Sequence, residues 1–494
     1  MQRLVVGPFN RVEGDLEVTL DLQEGKVAAA RVNSPLYRGF EQILRGKPPL
    51  DALVFTPRIC GICSVSQSSA AALALADAMG LRPAPNGRIV RNLILAAENL
   101  ADHLSHFYLF FMPDFARAGY AGRHWHTGAA QRFRAVQGTA TTEALPARAG
   151  LLSLMGILAG KWPHTLAIQP GGSTRAVERA ETLRLFAALR EFRLFLERRL
   201  FGDGLETVAA LDGAAALDRW LAQGDRGDFG RFLEIAADLR LEMLGRGPDR
   251  FLSFGAYAQE TSALFCSGVW DGGLKPLDTA QIAEDISQSW LAGADRPLHP
   301  SAGVTRPLAD KAGAYTWCKA PRLAGMTMET GALARQQVHG HPLIRDLVAT
   351  SGGNVRNRVI ARLLELALVV PRMEQWLRQL APGQPFCNHG TVPGQAHGVG
   401  LVEAARGSLG HWLHIERGHI HNYQIIAPTT WNFSPRDGAG NRGPLEQPWS
   451  ARRWKKARKR RSPCSTWCAP SIRAWSVRCI EKTGHEDRCT RVFP

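Results

Sequence analysis

The stretch Thr56-Pro57-Arg58-Ile59-Cys60-Gly61-Ile62-Cys63 decides how this chain is read. Two thiols three residues apart, with a glycine between them, can act as thiolates and chelate one soft or borderline metal ion. The spacing alone leaves three chemistries open: a metal chelate, a thioredoxin-like redox pair, or half of a zinc site. A zinc site would need a second pair, or two histidines, nearby in the fold.

The chain around that stretch has 494 residues, 45% of them hydrophobic. Its length supports a substantial core and allows about two to four domains. No run has the length and polarity of a membrane helix, so direct membrane insertion is not expected. The start, MQRLVVGPFNRVEG, lacks a basic segment followed by an apolar one and does not read as an export signal, which makes a cytoplasmic location the expectation. Cys60, Cys63, Cys266, Cys318 and Cys387 are the only cysteines before residue 448. Such sparse use argues against a disulfide framework and for a reducing compartment.

The net charge of +16 suggests a nucleic-acid binder until it is mapped. Residues 448 to 494 hold thirteen Lys and Arg against three acidic residues, so this segment supplies +10 of the total. The signal is local, and no nucleic-acid partner is expected for the body of the chain.

The first sixty residues read as short strands and turns, with VEGDLEVTLDL alternating and GKVAAARVNS following a turn. Helical patterns then dominate. Gln67 to Met79 is Ala-rich, and Gly87 to Phe111 is apolar at helical spacing and ends at Met112-Pro113. Thr174 to Leu200 and Val359 to Leu380 read as amphipathic helices. After Gln447 the periodicity stops. The residues divide into a body, 1 to 447, read as one compact unit, and a basic tail, 448 to 494, whose composition is that of a disordered segment.

Tyr37-Arg38-Gly39-Phe40-Glu41 and the Thr56 to Cys63 stretch resemble the family of nickel–iron hydrogenase large subunits. So do Arg11-Val12-Glu13-Gly14, Glu403-Ala404-Ala405-Arg406-Gly407-Ser408-Leu409-Gly410-His411, Ala427-Pro428-Thr429-Thr430-Trp431-Asn432 and Ser434-Pro435-Arg436-Asp437. These motifs stand in family order and the resemblance covers residues 8 to 447. The Ala-Arg-Gly segment departs slightly from the commoner Pro-Arg-Gly.

The resemblance implies a mainly α fold with a smaller α/β portion and a nickel–iron active site whose iron carries carbon monoxide and cyanide. It implies docking on a small subunit that alone holds iron–sulfur clusters, and H2 as substrate. By position Cys60 would bind nickel, Cys63 would bridge nickel and iron, and Arg406 would stand over the open site to assist in splitting H2. Asp114 would pair with that arginine and orient it. Pro428, Thr429 and Gln67 would line the cofactor, Thr429 donating to a cyanide. Glu13 would relay protons, and Glu41 would bind a structural magnesium. His103 and His106, three apart on a helix, read as buried and hydrogen-bonded. His411, His414, His419 and His421 read as core or supporting histidines, because thiolate chemistry does not need them.

Most of the family carries His where this chain has Gln67. Gln within RICGICSVSQS resembles the regulatory, hydrogen-sensing branch, whose members signal through a histidine kinase. Gln67 can hydrogen-bond a cysteine sulfur but cannot titrate near neutral pH.

The family pattern closes with Asp-Pro-Cys-x-x-Cys-x-x-His, which this chain lacks. Cys464, Cys468, Cys479 and Cys489 stand in unpatterned sequence. Back-translated and read one base over, Cys468 through Glu481 can encode RSFDPCMVCTVH followed by a stop. Two bases of each recovered codon are largely dictated by the residues present. Loss of a single G after Gln447 would produce Gln447-Pro448-Trp449. We therefore expect a reading-frame slip, and a chain short of two metal thiolates as it stands. The competing expectation is a metal-free related subunit serving as a scaffold in a respiratory-type complex.

Overall fold

The computed structural model describes residues 2–9, 15–24 and 26–449. Glu13 and the tail cysteines lie outside the described residues. The chain opens with three antiparallel strands, β1 (Gln2–Phe9), β2 (Leu16–Gln23) and β3 (Lys26–Asn33), in that order. Alternation puts Leu16, Val18 and Leu20 on one buried face. Phe433, Leu445 and Trp449, from the far end of the described chain, complete that small core. Val32 N–H donates to Glu446 Oε1 at 3.1 Å, closing the sheet onto the later segment.

The main core is helical. Helix α1 (Ser64–Ala78) and helix α2 (Pro85–Ser105) are buried along most of their length. Proline at the start of α2 needs no amide donor there. After α2 the chain widens into a π turn, His106–Phe111, and a 3-10 turn, Met112–Asp114, so the expected helix to Phe111 changes winding at His106. Helices α3 (Thr139–Ala159), α4 (Arg179–Phe195), α5 (Ala332–His339) and α6 (Val355–Gln379) join α1 and α2 in one continuous apolar cluster. Between α4 and α5 lies a second sheet, β4 (Arg250–Ala258), β5 (Ala263–Asp271) and β6 (Leu274–Lys275).

A third sheet follows α6: β7 (Ala396–Ala404), β8 (Gly407–Glu416) and β9 (His419–Ile426), an antiparallel meander that ends in the short helix α7 (Pro428–Asn432). It seats directly on α1. A Cβ added at Gly398 or Gly400 would stand 2.0 or 1.9 Å from the carbonyl oxygens of Ala74 and Ala70. Glycine lets strand and helix backbones touch there.

The architecture is helix-rich with a smaller sheet portion, as the resemblance implied. The strand ladders are all antiparallel, so the sheets are separate meanders and ribbons, not β-α-β units. No described helix is long and apolar enough to cross a membrane.

Candidate metal centre

Cys60 and Cys63 stand where a 3-10 turn, Thr56–Ile59, hands over to α1. Cys60 is extended, at φ −152°, and Cys63 occupies the N-cap of α1. Both residues are half-buried. The Cys63 thiol donates to Cys60 and, aided by the nearby Arg406 charge, lowers Cys60 to about 6. The same hydrogen bond, with burial, pushes Cys63 up.

Glu98 of α2 fixes this turn. Its buried carboxylate accepts from Val65 N–H at 2.8 Å, Ser66 N–H at 2.9 Å, Ser66 Oγ at 3.0 Å and Trp162 Nε1 at 3.0 Å. A side chain on another helix thus satisfies the free amides at the start of α1. Burial raises Glu98 to about 7 against these donors.

Arg406 hangs from the tip of the β7–β8 hairpin, where Ala404 pairs with Gly407 and only Ala405 and Arg406 form the loop. Gly407 has φ +131°, and a Cβ there would meet the Thr330 hydroxyl at 2.3 Å. Asn432 Nδ2 donates to Thr330 O at 3.1 Å and, at the limit of a hydrogen bond, to Arg406 O at 3.5 Å. Asn432 thus ties α7, which carries Pro428 and Thr429, to the arginine's backbone. Below the tip, Arg335 Nη1 donates to Ala404 O and to Glu403 at 2.8 Å each, while its Nη2 grips Glu365 at 2.8 and 3.0 Å.

The carboxylate on Arg406 is Asp102, at 2.8 Å, and not the expected Asp114. Asp102 lies in the last turn of α2 facing the hairpin tip. Asp114 lies past the π turn and pairs with Arg117 at 2.9 Å. Burial works against the charge of Arg406, and Asp102 with the two thiols more than offsets it.

Gln67 meets a histidine of the third sheet. Its amide oxygen accepts from His411 Nε2 at 2.9 Å, and His411 Nδ1 lies 2.8 Å from the Tyr423 hydroxyl. Burial lowers His411 to about 3, so its ring is neutral. His103 is buried against Glu365 at 3.4 Å, and His106 is buried with its ring stacked on Phe111. His411 is a core histidine as expected. His414 is half exposed and His419 and His421 are exposed, which corrects the expectation for those three.

Glu41 belongs to a second cluster. Its oxygens accept from Ile425 N–H at 2.9 Å, from Lys319 Nζ at 3.2 Å and from the Thr305 hydroxyl. Lys319 also meets Glu284 at 3.1 Å and Gln424 at 2.7 Å. Burial pushes Glu284 up to about 7 against the pull of Lys319.

The structure therefore gathers Cys60, Cys63 and Arg406, and adds Asp102 and Glu98, which the sequence reading overlooked. Their signal was present: two carboxylates four apart in the second half of a helix buried along most of its length. Among the described residues no group of three or more His, Cys, Asp or Glu side chains forms a complete metal site.

The site is thus a thiol pair close to an arginine that a buried carboxylate holds, a donor set suited to half of a soft-metal centre. The nickel-dependent hydrogenase family model matches residues 38–118 and 233–460. The periplasmic NiFeSe hydrogenase large subunit of Desulfomicrobium baculatum is 30% identical over 481 residues, covering 90% of this chain and 88% of its own. An uptake hydrogenase large subunit of Afipia carboxidovorans is 26% identical, covering 90% and 89%. The reduced Ni-Fe-Se hydrogenase of D. vulgaris Hildenborough superimposes with a TM-score of 0.80 at 28% identity, over 96% of this chain and 98% of that one. This chain belongs to the nickel-dependent hydrogenase family, as a large subunit.

Proposed function

We propose that this subunit, paired with an iron–sulfur small subunit, serves heterolytic splitting of H2 in a hydrogen sensor. The observation that carries the reading is the Arg406–Asp102 pair beside the Cys60–Cys63 thiols. A bound nickel–iron centre with carbon monoxide and cyanide would supply the hydride chemistry. This chain's residues supply the rest: a guanidinium locked in place by Asp102 and a pair of thiols placed to act as thiolate ligands. Pro428 and Thr429 would line that centre, and Glu13 would carry protons onward.

The donor set fits only half of such a centre, since the described residues bring together two thiolates of the four expected. We read the chain as metal-deficient, with the second pair one base out of frame. Nickel and iron quantification on the purified full chain tests this: well below one ion of each per chain is expected, and stoichiometric metal would refute it. A chain whose tail is restored to DPCMVCTVH should take up both. If it stays empty, the scaffold reading stands instead. Sequencing the locus decides the slip itself, because an intact gene without that alternate frame removes it.

Sensing is supported by Gln67, which the neutral His411 holds in place of a titrating group; a histidine kinase is the expected signalling partner. For the Glu41 cluster we propose a structural magnesium. Glu284 Oε1, buried and without a partner, is the feature that fits a further cation there. A cytoplasmic location rests on the sparse cysteine of residues 1 to 447.

A further inference from the structure

We propose that His397, His414 and His421, with Glu416 beside them, form a surface site for one divalent transition-metal ion of the zinc, nickel and copper class. The site is remote in sequence from the thiols and does not depend on the hydrogen-splitting reading.

Sheet register builds it. His397 on β7 and His414 on β8 are cross-strand partners and share one face. Their rings stack with centroids 4.2 Å apart at 17°. On the next strand the pairing slips: His414 opposes Asn422 while Ile415 opposes Ile420. His421 is therefore the extra residue of a bulge, a feature that re-aims a side chain. It turns out beside His414, with ring centroids 4.9 Å apart at 62°. Glu416 Oε2 lies 3.0 Å from His421 Nδ1. His397 and His421 are exposed, while Gly398 and Gly400 of the same sheet press on α1.

Three imidazoles in a row on a solvent face repel one another once protonated, because like charges directly opposite destabilise a sheet. Neutral imidazole nitrogen is the usual ligand of such a divalent ion, and three rings side by side supply three of them. Glu416, accepting from Nδ1–H of His421, would orient that ring and leave Nε2 for the metal. As placed, the rings lie against one another and no three donors yet converge on one point. The exposed His397 and His421 rings can close the site by side-chain rotation alone, which is fast at a surface.

Calorimetric titration of the full chain with Zn2+ alone tests the proposal, with H414A, H397A and a C60S/C63S double variant in parallel. We expect a binding event, separate from any at the thiols, that weakens by roughly tenfold or more in either histidine variant and persists in the double cysteine variant. Equal zinc binding by the parent and both histidine variants would overturn it, as would an event that disappears only with the cysteines. His397 is exposed, so the result for H397A stands even if H414A loses stability.

Discussion

Asp102 carries the electrostatics of the arginine at the residue scale. It is buried, and it is the one carboxylate bonded to Arg406 among the described residues. Asp102→Ala leaves a largely buried guanidinium unpaired and should lower the unfolding free energy by about 2 kcal/mol. Urea denaturation measures it; a change within ~0.5 kcal/mol would show the pair to be solvated. Glu98 sets a pH dependence. Its folded value is raised to about 7 from an ordinary 4.5, so the unfolded chain gives up the proton first. Its contribution to stability is fully present below pH 4.5 and drains away as pH rises to about 7. Glu98→Gln should flatten that window by at most about 3 kcal/mol. Glu284 is raised to a similar value, so some slope should persist. An unchanged pH profile in the variant would show that Glu98 is ionised throughout.

At the scale of elements, the β7–α1 contact decides where the Arg406 hairpin can lie. Gly400→Ala forces a Cβ to within 1.9 Å of the Ala70 carbonyl. Neither backbone can yield without moving the sheet off the helix, and a cost of about 3 kcal/mol or more is expected. Gly394→Ala meets nothing within 4 Å and should be nearly neutral. Thermal melts of the two variants compare them directly, and equal midpoints would mean that the sheet rides free of α1. Elements are also where sequence reading stopped short. Ser64–Ala78 and Val355–Gln379 were legible to within a few residues because long apolar repeats bury one helix against several neighbours. The β7–β9 meander was not. Its buried strands lack clean alternation, because sheet, helix and the Trp412 cluster cover both faces along much of its length.

Across the whole molecule, one buried guanidinium joins the parts. Arg335 on α5 binds Glu365 on α6, and Glu403 and Ala404 on β7, with both carboxylates fully buried. Glu365 in turn meets His103, the neighbour of Asp102. The linkage therefore reaches both members of the Arg406–Asp102 pair. Arg335→Ala strands two carboxylates in the core and should cost about 4 kcal/mol, read as a lower denaturant midpoint. Arg335→Lys should recover only part of it, since an ammonium cannot grip Glu365 with two parallel bonds. Full recovery would argue that charge alone matters.

The sequence by itself determined the family, the thiol pair, the arginine and the mismatch of the tail, because each is a local string of chemically specific residues. It could not determine which carboxylate faces Arg406. Asp102 and Asp114 lie twelve positions apart, and only the π turn after α2 carries one toward the hairpin and the other away. Nor could it show that Gln67 would be claimed by His411 across 344 residues, or that a bulge would turn His421 outward. Those outcomes depend on strand register and on backbones packed close enough to exclude a methyl group, which are properties of the folded chain and of no local pattern.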